Sequence, residues 1–155
     1  MTAVVHMDHD LEYPPGYLAA ILKEVKSIAM VGASPDPTKF SYGVLRVLHE
    51  IGYDMIPVNP NEAGGEIRGL RVYQSLAAID RPVDMVQVFR SSDALLGIAR
   101  EAIAIGAKVL WAQLGVRDDA AARLAEDAGM KVVMNRCPKI ELFRPFWKPR
   151  LNQPI

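Results

Sequence analysis

One stretch, residues 27–60, SIAMVGASPDPTKFSYGVLRVLHEIGYDMIPVNP, restricts the possible folds of this chain more than any other. It opens with an apolar run, Ile28-Ala29-Met30-Val31, that stops at Gly32. A polar, proline-bearing loop follows from Ala33 to Phe40. Val44, Leu48 and Ile51 then recur at spacings of four and three, which predicts a helix buried along one face. Gly52 stands where a left-handed residue usually ends a helix. A second apolar run, Met55-Ile56-Pro57-Val58, closes the unit at Asn59-Pro60. Strand, glycine turn, helix and strand open a nucleotide-binding α/β sheet, where a phosphate can rest on the helix N-terminus.

The remaining chain completes that sheet. Residues 17–26 predict a helix after the stop signal Pro14-Pro15-Gly16. Residues 61–70 are a glycine-rich loop, and 71–73 a short edge strand. Ser75 can cap a brief helix that Pro82 keeps short. Strands are expected over 83–89, 108–113 and 131–134. Between them lie helices that Ser91 or Ser92 and then Asp118-Asp119 begin, and that Gly106 and Gly129 end. This alternation predicts a single doubly wound, Rossmann-like α/β domain over 14–143 with a mainly parallel sheet. Right-handed crossovers give a strand order of about 3-2-1-4-5-6, with ligands at the carboxyl ends of the strands. Pro57 conflicts with an internal strand, because it removes a ladder donor. Residues 1–13 are expected to form a loose N-terminal arm, residues 135–155 no regular element, and 144–155 a tail packed on the body with Phe146 and Trp147.

Composition narrows the function. With 155 residues the chain can bury a core without staples, and its formal net charge is zero. No electrostatic argument favours nucleic acid or an anionic membrane, so an anion site must be local. A lone cysteine, Cys137, excludes an internal disulfide and suits the cytoplasm. Asp8, Asp10 and Glu12 stand where a signal peptide would be basic and then apolar. His6, Asp8, His9 and Asp10 carry metal-ligating atoms, but nothing rigid positions them, and no metal is expected.

The dinucleotide fingerprint needs three glycines, and after Gly32 this chain has Ser34 and Pro37 at the other two positions. Its second strand ends in Asn59 rather than a carboxylate, which also counts against NAD. A P-loop is absent. The loop instead offers Ser34, Thr38, Lys39 and Ser41 around a helix start, a set suited to a pyrophosphate bound without metal. Alternatively, Thr38 or Ser41 merely caps the helix and Lys39 is solvated.

The runs VGASPDPTKFSYGV, IPVNP, VDMVQVFR, WAQLGV and NRCPKIE, in this order, resemble the small stand-alone CoA-binding proteins of bacteria. These are themselves similar to the nucleotide-binding half of the succinyl-CoA synthetase α subunit. The resemblance spans residues 25–143 and implies non-catalytic binding of coenzyme A or an acyl-CoA. It implies that Gly32, Ala33, Ser34, Lys39 and Tyr42 form the phosphate loop, and that Asn59 and Pro60 flank the adenosine. Phe89 and Arg90 match the strand end across the switch point. Gln113 and Gly115 match the next strand end, where the pantetheine arm would pass. Asn135, Cys137 and Pro138 match the Asn-x-Cys-Pro turn. Where the synthetase has a lysine among glycines, this chain has Asn61-Glu62-Ala63.

Several alternatives stay open at this point. The synthetase's phosphorylated histidine lies in a further domain beyond the matched stretch, and His49, off the apolar stripe, reads as a surface residue. No catalytic set is visible, so an enzyme is not expected. Two other readings are a CoA-binding subunit of a multi-subunit acyl-CoA ligase and an NAD(H)-sensing module. A protein partner or a homo-oligomer is compatible with the aromatic tail. Cys137 is either a thiol able to form a mixed disulfide with CoA or a small buried hydrophobe. Phe89 and Trp111 either stack on a base or belong to the core. Arg90 either meets a phosphate or pairs with Asp93 or Glu62.

Overall fold

The computed structural model describes residues 4 and 6–144, so the expected aromatic contacts of Phe146 and Trp147 lie outside the described residues. In chain order the elements are α1 (Pro15–Glu24), β1 (Ser27–Val31), α2 (Phe40–Ile51), β2 (Asp54–Val58), β3 (Glu66–Ile67) and β4 (Leu70–Arg71). They continue with β5 (Met85–Val88), α3 (Leu95–Ala104), β6 (Val109–Ala112), α4 (Asp119–Asp127), β7 (Lys131–Val133) and α5 (Pro138–Leu142). Short 3-10 turns precede β5 and α3.

The main sheet is parallel throughout, in the order β2-β1-β5-β6-β7, while β3 and β4 form a separate two-stranded hairpin. The expected order holds, but its outermost strand is reduced to one parallel bridge between Val58 and Tyr73. This arrangement also accommodates Pro57. Its carbonyl accepts from Tyr73 N at 2.9 Å, on the side of β2 away from β1. The N and C=O of one strand residue point the same way, so the missing N–H faces a margin where no full strand needs it.

Two core layers cover the sheet. Ala29, Val31, Ile56, Val86, Val88 and Leu110 pack under α3 and α4. Ile28, Met30, Met55, Met85 and Trp111 pack under α1, α2 and α5. Burial on both faces explains why the strands read as continuous apolar runs. Three expectations need correction. Ile51 is half exposed: the buried face of α2 is Ser41, Val44, Leu45 and Leu48, and Ile51 is the last helical residue. The segment after Cys137 is not irregular, because Pro138 begins α5 at the first-turn position that tolerates proline. Nor do the described residues of the N-terminal arm stand loose. Met7 N and His9 Nε2 reach the buried Glu126 carboxylate at 3.0 and 3.2 Å, and Arg117 holds His9 O at 2.9 Å.

The arm and α1 also seal the β7 edge. Tyr17 Oη donates to Val132 O at 2.8 Å and accepts from Val132 N at 2.9 Å, while Tyr13 Oη accepts from Met134 N at 2.8 Å. Burial raises the Tyr17 and Tyr13 hydroxyls above the usual phenol range, so both keep their protons. At the amino end of the sheet, Asp84 accepts from Lys26 N at 2.8 Å and Ser27 N at 3.2 Å, which fixes the start of β1. No helix among the described residues is long and apolar enough to cross a membrane.

Candidate functional site

Parallel strands deliver their carboxyl ends to one rim, and the residues singled out from the sequence lie at or near that rim. Gly32 ends β1 at φ 90°, with its N–H on Val58 O at 3.0 Å. The next turn is fixed by short polar groups. Ser34 Oγ accepts from Asp36 N at 3.1 Å, and Asp36 Oδ1 accepts from Thr38 N at 2.9 Å and Thr38 Oγ1 at 2.8 Å. The Thr38 backbone N–H, with its hydroxyl second, holds the Asp36 carboxyl below the usual carboxylate range. Asn59 Nδ2 donates to Ala33 O at 2.8 Å, tying the end of β2 to the same loop.

That loop delivers α2 without a side-chain cap: Lys39 occupies the N-cap position and makes no capping bond. Thr38 is engaged with Asp36, and Ser41 is buried inside the helix. Neither fills the capping role considered above. The first-turn amides of a 12-residue helix thus end beside an exposed lysine.

Further cations lie along the rim, Arg136 over the Tyr13 ring at 5.1 Å from its centroid. Among the described residues, Lys39, Arg90, Arg136 and Lys139 form no ion pair within 4.0 Å. Arg90 therefore pairs with neither Asp93 nor Glu62. The Asp93 carboxyl is held low first by the Ser91 hydroxyl, with Arg90 contributing less. Arg68 lies over the Tyr42 ring, 5.8 Å from its centroid, and Lys139 lies 6.0 Å from the Phe40 centroid. The Phe40 and Phe89 rings stand 6.3 Å apart, Phe40 exposed and Phe89 half-buried. On the other face of the sheet, Val31, Val58, Pro60, Leu76, Arg90 and Glu101 line a cleft of ≈ 120 Å³.

The rim is locked at β6 and β7 by one turn. Asn135, at φ 57°, accepts from Gly115 N through Oδ1 at 2.6 Å. Asparagine tolerates this left-handed backbone better than most residues. Gln113 is buried, and Cys137 is fully buried within the core formed with Trp111 and Leu142. Trp111 is likewise core, its Nε1 donating to Arg136 O at 2.9 Å. Burial of the thiol matches the packing reading of Cys137. His49 is exposed on α2.

Sequence reasoning missed Asp36, Phe40, Arg68 and Lys139. An Asp two residues before a Thr at a helix start is a detectable turn signal. Arg68 carries none, since the β3–β4 hairpin alone brings it to Tyr42.

Comparisons with known proteins agree with this geometry. A family model described as CoA binding domain matches residues 26–142. The Bacillus subtilis protein YneT is 39% identical over 120 residues, covering 77% of this chain and 87% of its own length. The structure of a hypothetical protein from Pyrococcus horikoshii superposes with a TM-score of 0.80 at 33% identity, covering 92% of this chain and 96% of that one. The α subunit of ADP-forming acetate–CoA ligase I from Pyrococcus furiosus is 41% identical over 69 residues, which cover 41% of this chain and 14% of that subunit. Bacterial and archaeal proteins both appear among these relatives, so the likeness is not confined to bacteria.

Proposed function

Because the chain belongs to the CoA-binding domain family, we propose that it binds coenzyme A or an acyl-CoA at the carboxyl rim of its sheet, without chemistry of its own. The observation that carries this reading is the uncapped start of α2, with Lys39 at its N-cap and Lys139 6.0 Å from the Phe40 ring, neither in an ion pair among the described residues, in a chain with zero formal net charge. In this reading the α2 amides, Ser34 and Lys39 take the pyrophosphate. Asn59, Pro60 and Arg90 border the adenosine in the cleft beside α3. The pantetheine arm runs across Phe89 and Gly115 toward the Asn135 turn. Arg68 and Tyr42 stand where a further phosphate on the ribose can be met. The reduced, buried Cys137 suits the cytoplasm, where CoA is available.

A calorimetric titration with CoA, using dephospho-CoA and NADH as controls, tests the reading. Saturable heat with CoA and weaker binding of both controls is the expected result. No heat and no thermal stabilisation with any of the three overturns it.

The ligase match favours a second reading, in which the chain supplies a CoA site to a catalytic partner subunit. Co-purification of such a subunit with the tagged protein from its native cells would distinguish it. An NAD(H) module is disfavoured because Asn59 is committed to Ala33 O and Asn61 N, and offers no carboxylate to a ribose.

A further inference from the structure

The sheet face under α2 and α5 contains two buried carboxamides in an otherwise apolar surround. Gln87 is 0% exposed and Gln113 3%. Gln87 sits in β5 opposite Met30 on one side and Trp111 on the other. Gln113 follows Ala112, which is registered with Val88, so it stands at the next step, beside Phe89. The two side chains meet through one hydrogen bond, Gln87 Nε2 to Gln113 Oε1 at 3.2 Å. Gln87 Oε1 and Gln113 Nε2 then have no partner among the described residues. Rotating both amides exchanges the roles but again leaves one oxygen and one NH₂ unused.

Buried polar groups in native proteins are normally satisfied, so an acceptor on Gln87 and a donor on Gln113, both without a partner among the described residues, call for an explanation. We propose that Gln87 and Gln113 form a recognition site for a secondary amide on the ligand's arm. This rests on the CoA reading above and extends it. A secondary amide presents one N–H and one C=O, the complement of the free oxygen and free NH₂. The pantetheine arm carries two such amides, whereas neither the nucleotide nor an acyl chain offers one. The position also fits. An arm leaving the pyrophosphate at the start of α2 passes Phe40 and Phe89, and the step beside Phe89 is Gln113. In this conformation the pair is closed from solvent, so binding the arm there includes a local opening of the rim beside Gln113.

Paired titrations with CoA and with 3′-phosphoadenosine 5′-diphosphate, which lacks the arm, test the proposal. Gln113→Leu and the double variant Gln87→Leu/Gln113→Leu are expected to bind CoA about tenfold more weakly, while binding the nucleotide fragment like the wild type. The double variant should also melt no lower than the wild type, because both unsatisfied groups leave together. A purely structural pair, or one bridged by water, would leave CoA affinity unchanged in a folded double variant, and that result overturns the proposal. Should the double variant fail to fold, Gln113→Met keeps the volume and removes the donor, and wild-type CoA affinity in that variant overturns the proposal equally. Wild-type protein that binds neither probe overturns the CoA reading itself and the amide site with it.

Discussion

A β-carbon on Gly32 would lie 2.4 Å from the carbonyl oxygen of Phe89 and 3.0 Å from its carbon. The switch point of the sheet, between β1 and β5, is thus closed to the width of a hydrogen atom. At φ 90° this backbone also disfavours any side chain. Gly32→Ala is expected to cost at least about 2 kcal/mol and to weaken ligand binding, because Arg90 must shift along with Phe89. Urea denaturation measures the first effect and titration the second. A wild-type denaturation midpoint would mean that the strands do not approach this closely.

Lys39 is exposed beside the α2 amides and makes no ion pair among the described residues. Lys39→Ala should weaken CoA binding about fivefold without changing the melting temperature, and the deficit should shrink as salt is raised. Equal losses at low and high salt would assign the lysine a packing role instead.

Tyr17 serves Val132 as both donor and acceptor through one hydroxyl. Tyr17→Phe strands both backbone groups at a half-buried edge and should cost about 1–3 kcal/mol. Amide hydrogen exchange would locate the damage, with the Val132 N–H losing protection before its neighbours on β6. Unchanged protection at Val132 would refute the contact.

Asp84 gives the fold an acid-sensitive joint. Burial raises its carboxyl pKa, but the Lys26 and Ser27 N–H groups outweigh it, and the folded pKa is lowered on balance. The folded state therefore prefers the ionised form. Its contribution is complete above the ordinary aspartate pKa of about 3.9 and is lost as pH falls through the lower folded value. Asp84→Asn should cost about 1–2 kcal/mol at neutral pH and flatten the acid limb of the stability curve. Denaturant melts from neutral to acid pH check both, and parallel curves for variant and wild type would remove Asp84 as the cause.

Much of the architecture was legible because local signals agreed. Gly52, Gly106 and Gly129 each follow the end of a helix ahead of an apolar strand, and the five main strands fall close to where those signals put them. Pro57 looked like a contradiction because one-dimensional reading cannot tell which way a strand residue's N–H points. The rim was legible at Gly32, Lys39, Asn59 and Arg90, which sit directly on strand ends or in the glycine loop. Phe40, Arg68 and Lys139 were not, since each reaches the rim through a tertiary approach. Glu126 escaped notice for the same reason: an acid in an amphipathic helix reads as solvent-facing until an arm from the other end of the chain covers it.

The closed margins of the sheet bear on how this protein behaves when concentrated. On one side stand a proline without an N–H and a bridge one residue long, and on the other two phenol hydroxyls occupy backbone groups of Val132 and Met134. An open strand margin is a template on which further copies can polymerise into fibrils. Among the described residues both margins are interrupted as templates, which works against strand-to-strand association.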